Sequence, residues 1–213
     1  MAVFQAYGSS NDVEIGYSSG VSTSWNNVSN VQTNGTYINS ATATNFKVRA
    51  DTNGGAGTYW CSRIFLYFDT SSLPDNAVIQ SANLNIYMES NVSGASTDIQ
   101  PCYMVVGTFA AGPLATTDYG NLLKSQIFGS GNISINASSN TINFNSTGFQ
   151  YINRLGFTKI VIIGNKDLTG AIVSTPSSEQ SKTISSQNNA SIGQRPLLTV
   201  NYVLANPMAS YVT

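Results

Sequence analysis

The chain has 213 residues, 41% of them hydrophobic, a length and an apolar share that suit one all-β domain around a single sizeable core. Only 9% of the residues are charged, against about a quarter in an average soluble domain, and Asn, Ser, Thr and Gly stand where Lys and Glu would be. The net charge of −1 excludes the positive field that nucleic-acid binding needs, and the lack of histidine excludes Ser-His-Asp and Cys-His catalysis and His-based metal centres.

Residues 1–8 carry neither a basic region nor an apolar run of signal-peptide length, and no segment approaches the roughly 18 apolar residues of a membrane span. The expectation is synthesis in the cytoplasm without a classical export signal, and no membrane partner. Val13, Ile15 and Tyr17 alternate as one face of a strand. Tyr37 and Ile38 begin a second strand, and Phe46, Lys47 and Val48 a third. Residues 53–57, Asn-Gly-Gly-Ala-Gly, read as a turn or loop, because consecutive glycines admit positive φ at little cost.

Residues 62–87 predict a strand, a tight polar corner at Pro74, and a second strand. Ile64, Leu66 and Phe68 alternate with Arg63, Phe65 and Tyr67; Ala82, Leu84 and Ile86 alternate with Asn83, Asn85 and Tyr87. Period-two alternation gives each strand one buried and one displayed face, so the unit is expected to be a half-buried antiparallel pair. On that pattern Phe65 and Tyr67 point outward.

Residues 99–109 predict a strand kinked at Pro101 and broken by residues 110–113. Residues 117–124 predict a helical turn capped by Thr117 or Asp118. Short strands are expected at residues 133–135 and 141–144 around the polar turn 136–140. Ser146 or Thr147 caps a second short helix reaching Leu155, with Gly156 as a left-handed stop and Phe149 and Ile152 plugging it onto the domain. The polar stretch 174–194 predicts a rim strand flanked by loops, followed by a closing strand and an extended tail at residues 206–213. Many short strands, frequent turn signals and no long helical period together predict an all-β, antiparallel β-sandwich of jelly-roll type with one or two short helical turns. One domain is expected over residues 1–213.

Three blocks carry a family resemblance. The first is Arg63, the alternating strand after it, residues 68–74 (Phe-Asp-Thr-Ser-Ser-Leu-Pro) and then Ala82-x-Leu84-x-Ile86-Tyr87. The second is residues 145–153 leading through Gly156 into the strand 160–163, and the third is the closing run 195–202. Together, over residues 60–203, they resemble a family of β-sandwich domains built like carbohydrate-binding modules, found in secreted polysaccharide-processing proteins and bacteriophage virion proteins.

Sugar-binding modules stack pyranose rings on exposed aromatic faces. Trp25, Tyr59 and Trp60 are the glycan-binding candidates, with Asn26 and Asn27 beside Trp25. Phe65 and Tyr67, as an outward aromatic pair, are the interface candidates. A glycosidase needs two carboxylates across a cleft. Asp12 and Glu14 have strand spacing but read as a solvated face, so no catalytic residue is assigned and the chain is expected not to be an enzyme. No cofactor is expected beyond a structural calcium, for which Asp51, Asp69 and Asp98 are the available acids and no ligand set is assigned. Cys61 and Cys102 are expected as free thiols in preference to a disulfide.

The resemblance, the low charge and the lack of an export signal imply a non-enzymatic structural protein of a bacteriophage virion: a capsid-decoration, head-fibre or tail-associated subunit. Its partners would be itself or other virion proteins, in an oligomer or on a lattice. The alternative is a carbohydrate-binding module of a secreted or virion protein that recognises a cell-surface glycan.

Overall fold

The computed structural model describes residues 1–19, 24–30, 34–39, 42–52, 58–92, 98–110, 112–134, 136–173 and 179–205. The glycine loop 53–57, Ile135 and the tail 206–213 lie outside the described residues. In chain order the elements are β1 (Ala2–Tyr7), β2 (Val13–Ser18), α1 (Trp25–Ser29), β3 (Tyr37–Asn39), β4 (Asn45–Thr52), β5 (Tyr59–Asp69), β6 (Ala77–Val92) and β7 (Cys102–Gly107). A 3-10 turn (Thr116–Gly120), β8 (Leu122–Gly131), β9 (Ser138–Asn143), a second 3-10 turn (Gly148–Tyr151) and β10 (Phe157–Ile163) follow. The last are α2 (Asn165–Thr169), β11 (Ser181–Ser185), a third 3-10 turn (Ile192–Gln194) and β12 (Leu197–Leu204).

Every strand pair described is antiparallel, and the strands form one curled sheet in the order β1-β12-β6-β11-β4-β5-β10-β7-β8, with β2 on β5, β3 on β2 and β9 on β6. The expected all-β sandwich architecture is thus observed. Two long strands let the sheet curl. β6 pairs β12 through residues 77–85 and β11 through residues 88–92, while β9 pairs residues 83–88. β5 likewise pairs β10 over residues 64–69 and β4 over residues 59–62, with β2 along residues 60–65. Each long strand therefore belongs to two neighbourhoods, and the side chains inside the curl form one apolar core running from Val13 to Val200.

The corner between β5 and β6 forms where residues 69–77 predicted it. Asp69 Oδ1 accepts the backbone N–H of Ser71 at 3.0 Å and its hydroxyl at 2.6 Å, and Ala77 N–H closes the turn onto Pro74 O at 2.9 Å. β6 alternates as expected, with Ala82, Leu84 and Ile86 buried and Asn83, Asn85 and Tyr87 half-buried.

β5 does not alternate. Phe65 is 0% and Tyr67 1% exposed, and Arg63 is fully buried. The cause is a second layer. Phe109 packs edge-on against Phe65 and Tyr67 at centroid distances of 5.4 and 4.8 Å, and Tyr67 Oη donates to Ala110 O and Gly112 O. The outward aromatic pair of the sequence reading is a roofed core, so Phe65 and Tyr67 are not on a free surface. A run as large and apolar as Ile64 to Phe68 fits a strand buried on both faces.

Several local expectations are corrected. β7 begins after Pro101, which follows a cis peptide bond from Gln100. The helical turn after residue 115 ends at Gly120, because Leu122 and Leu123 belong to strand β8. Ile133 and Ser134 are in no strand, although Ile133 is buried. The helix expected to reach Leu155 is a single 3-10 turn ending at Tyr151. Gly156 is not a left-handed stop; the positive-φ glycines among the described residues are Gly112 and Gly170, the latter capping α2 at φ 68°. β11 is no rim strand, since all five residues are buried between β4 and β6.

Candidate functional site

Lys47, Arg49 and Asp51 alternate along β4 with the inward Phe46, Val48 and Ala50, which puts all three on the face away from the core. Arg49 pairs across the ladder with Ser62, and Asp51 with Trp60. β2 brings Glu14 opposite Asn39 of β3, and Gly16 opposite Tyr37. A Cβ on Gly16 would lie 2.2 Å from the Tyr37 ring, so a glycine there is what lets the phenol fold across the strand. These strands frame an open cavity of about 350 Å³ lined by Glu14, Tyr37, Ile38, Asn39, Lys47, Arg49 and Trp60. That volume lies at the small end of the roughly 300–1,000 Å³ typical of small-ligand sites.

Glu14 is 3% exposed and held on three sides. Its Oε1 accepts Tyr37 Oη at 3.1 Å, and its Oε2 accepts Lys47 N–H at 2.8 Å and Asn39 Nδ2 at 3.4 Å. Burial nevertheless pushes its carboxyl above the ordinary range, against the pull of these hydrogen bonds and of the Lys47 charge. Burial and the neighbouring Glu14 charge also push the Tyr37 phenol upward.

The two cations of the site are already engaged. Arg49 forks onto Asp51 at 2.7 and 3.1 Å and lays its guanidinium 4.3 Å from the centroid of the Trp60 ring. Lys47 Nζ meets Glu179 Oε1 at 2.9 Å. Burial pushes Asp51 up in spite of Arg49. Burial acts on Glu179 in the same sense but is outweighed by the Ser181 and Lys47 hydrogen bonds and the Arg49 and Lys47 charges, which hold it down. Tyr37 tilts against Trp60 at 5.8 Å, and the Trp60 Nε1–H is buried with no acceptor among the described residues.

Of the three glycan-binding candidates, only Trp60 lines this cavity. Trp25 is 2% exposed, donates its indole N–H to Lys166 O at 3.3 Å and packs edge-on to Tyr59 at 5.8 Å. It pins α1 to α2 and presents no stacking face, and half-buried Tyr59 packs on it. Phe65 and Tyr67 lie in the roofed core described above. Asp12 and Glu14 are not a solvated pair. Asp12 is buried, accepts Tyr67 N–H at 2.8 Å through Oδ1, leaves Oδ2 without a partner and is pushed well above the ordinary range by burial. The sequence reading did not select Tyr37, Asn39, Lys47 or Arg49 for this site. The Lys47-x-Arg49-x-Asp51 alternation was the available signal for β4, whereas the β2–β3 partners meet it only through sheet pairing.

A second polar cluster lies under the roof of β5. Arg63 grips Asp167 of α2 with Nε and Nη2 at 2.7 and 2.8 Å, and donates to the carbonyls of Tyr119 at 2.7 Å and Ser29 at 2.8 Å. Its guanidinium stacks 3.8 Å from the Tyr119 ring centroid, and Lys124 Nζ adds a contact to Asp167 Oδ1 at 2.8 Å. Burial raises the Asp167 carboxyl, but the Arg63 and Lys124 charges prevail and hold it below the ordinary range. This fully satisfied cluster ties β5, α1, α2, β8 and the Thr116–Gly120 turn together.

Asp51, Asp69 and Asp98 do not converge, and no group of three His, Cys, Asp or Glu side chains capable of holding a metal occurs among the described residues. Cys61 and Cys102 are free, buried in β5 and β7, and both thiols are pushed up to about 12 chiefly by burial. Among the described residues no helix is long and apolar enough to cross a membrane. Compared with known proteins, the chain matches no family model and no curated protein.

Proposed function

We propose that this chain is a non-enzymatic glycan-recognition module whose site is the cavity beside Trp60. The observation that carries this reading is the meeting of an indole, a phenol, an amide and a carboxylate at the mouth of one small cavity on three neighbouring strands. Sugars need this mixture, with apolar ring faces met by aromatics and hydroxyls met by side chains that both donate and accept. Arg49 already covers one face of Trp60, so the site suits a single sugar unit entering the cavity rather than a chain laid over a flat platform. Among the described residues Glu14 is the only acid in its lining, whereas glycoside hydrolysis uses a pair, which favours binding over cleavage.

The resemblance to carbohydrate-binding modules points the same way. Binding of neutral and charged oligosaccharides to the full chain, compared with Trp60→Ala, tests the proposal. The account expects at least one oligosaccharide to bind and Trp60→Ala to abolish that binding while the variant stays folded. Equal binding by the variant, or no binding by the intact protein, would refute it.

A second reading, a structural subunit on the surface of a bacteriophage virion, is favoured by the sparse charge and by apolar residues displayed at one end of the sheet. Val3, Val78, Val203 and Leu204 are all exposed there. Such a subunit would self-associate or dock on a particle. Sedimentation of the purified chain as an uncharged-surface oligomer, with no sugar bound, would favour that reading over the first.

A further inference from the structure

We propose that the sugar taken by the Trp60 cavity carries a free, protonated amine, recognised by Glu14; this rests on the glycan-binding reading above. The charges of the site do not balance. Lys47 and Arg49 face three carboxylates, Glu14, Asp51 and Glu179, and both cations make their direct ion pairs with Asp51 and Glu179. Glu14 is left with hydrogen bonds but no cation in contact.

The lone-pair count leads to the same place. An ionised carboxylate offers about four acceptor sites, and Glu14, whose ionised form a bound ammonium would favour against the pull of burial, uses three of them. Two of the three lie on Oε2, so the open site is on Oε1, next to the Tyr37 hydroxyl. An ammonium donor placed there would supply the missing positive charge and the fourth hydrogen bond together. In a largely buried setting such a charge-assisted bond is worth more than it is in water.

The other polar groups of the lining suit the rest of the ring, since Asn39 and the Tyr37 hydroxyl can meet sugar hydroxyls. An amino sugar carries both groups on one ring: a cationic donor for Glu14 and hydroxyls for these side chains. The Tyr37 ring at the rim also favours a cation close to its face. A uronic acid brings a second anion beside an unpaired one and is disfavoured. Acetylation of the amine removes the charge and adds bulk, and is disfavoured for both reasons.

Calorimetric titration of the full chain at pH 6 and 0.15 M salt tests this, with three tetrasaccharides as probes: glucosamine, its N-acetylated form and galacturonate. The expected result is that the glucosamine oligomer binds at least tenfold more tightly than the N-acetylated one, that galacturonate does not bind, and that Glu14→Gln removes the tenfold preference. Equal or tighter binding of the N-acetylated form would overturn the amine inference and leave glycan recognition standing. Tightest binding by galacturonate would do the same. No binding by any of the three would overturn the inference and count against the glycan reading itself. If Glu14→Gln does not fold, the ranking of the three sugars on the intact chain decides the matter alone.

Discussion

The molecule buries carboxylates in two regions and treats them in opposite ways. Beneath the roof of β5, Asp167 is gripped by Arg63 and Lys124 and titrates below its ordinary range. At the Trp60 cavity, Glu14 is almost as deeply buried, touches no cation and titrates above its range. Burial acts in the same sense on both, so the partner decides the outcome. A carboxylate that is matched on every side serves the fold. One left with an open lone pair beside a cavity, at an energetic cost to the folded state, is available to a ligand.

The largest expected effect comes from breaking the matched region. Asp167→Asn would leave Arg63 and Lys124 beside each other without their counter-charge, and removing one partner of a buried pair costs about 3–5 kcal/mol. Urea denaturation should show that loss, whereas a change below about 1 kcal/mol, the worth of an exposed pair, would mean the cluster is open to water.

Core truncations come next. Phe65→Ala should cost about 3–5 kcal/mol and Leu84→Ala about 2–5 kcal/mol, while Asn85→Ala, on the half-buried face of β6, should cost little. Thermal melts of the three variants check this. A mild Phe65→Ala would restore that residue to the surface, and equal shifts for Leu84→Ala and Asn85→Ala would mean the faces of β6 are wrongly assigned.

The two regions also separate with pH. Asp167 titrates below its unfolded value, so its contribution is present above about pH 4 and is lost as the pH falls through the lowered folded value. Asp12, Glu14 and Asp51 titrate above theirs, so folding favours their protonated forms. Their contribution is full below about pH 4 and is lost as the pH rises through the raised folded values. Urea midpoints should therefore rise from pH 7 into the weakly acidic range and fall again once Asp167 protonates. A monotonic fall from pH 7 downward would contradict the upward push that burial gives Asp12, Glu14 and Asp51. The smallest effect concerns the thiols: a reductant should leave the melting temperature unchanged, since Cys61 and Cys102 are unbonded.

The same contrast explains what the sequence disclosed. The β5–β6 corner and the alternation of β6 were legible, because Asp69, Ser71 and Pro74 are turn residues with local partners and Leu84 and Ile86 have a period of two. The roof over β5 was not, since Phe109, Tyr119 and Asp167 reach it from distant parts of the chain. α1 and α2 span five residues each, too few for a helical period to show. β8 was hidden because Leu122 and Leu123 continue the apolar signal of the turn before them. Trp60 was singled out as an aromatic, together with Trp25 and Tyr59. Glu14 was singled out only with Asp12, as a solvated face, because its burial comes from β3 and β4 folding over β2.

The central claim, that the Trp60 cavity is where a sugar binds, is tested most directly by the two indole N–H signals of the 15N-labelled protein, one from Trp25 and one from Trp60. Trp60→Phe assigns them by deleting one. On titration with the glucosamine tetrasaccharide the Trp60 signal should move as the sugar fills the cavity that its ring lines, while the Trp25 signal, already bonded to Lys166 O, stays in place. Binding seen by calorimetry with the Trp60 signal unmoved, or with Trp25 shifting in its stead, would contradict the account.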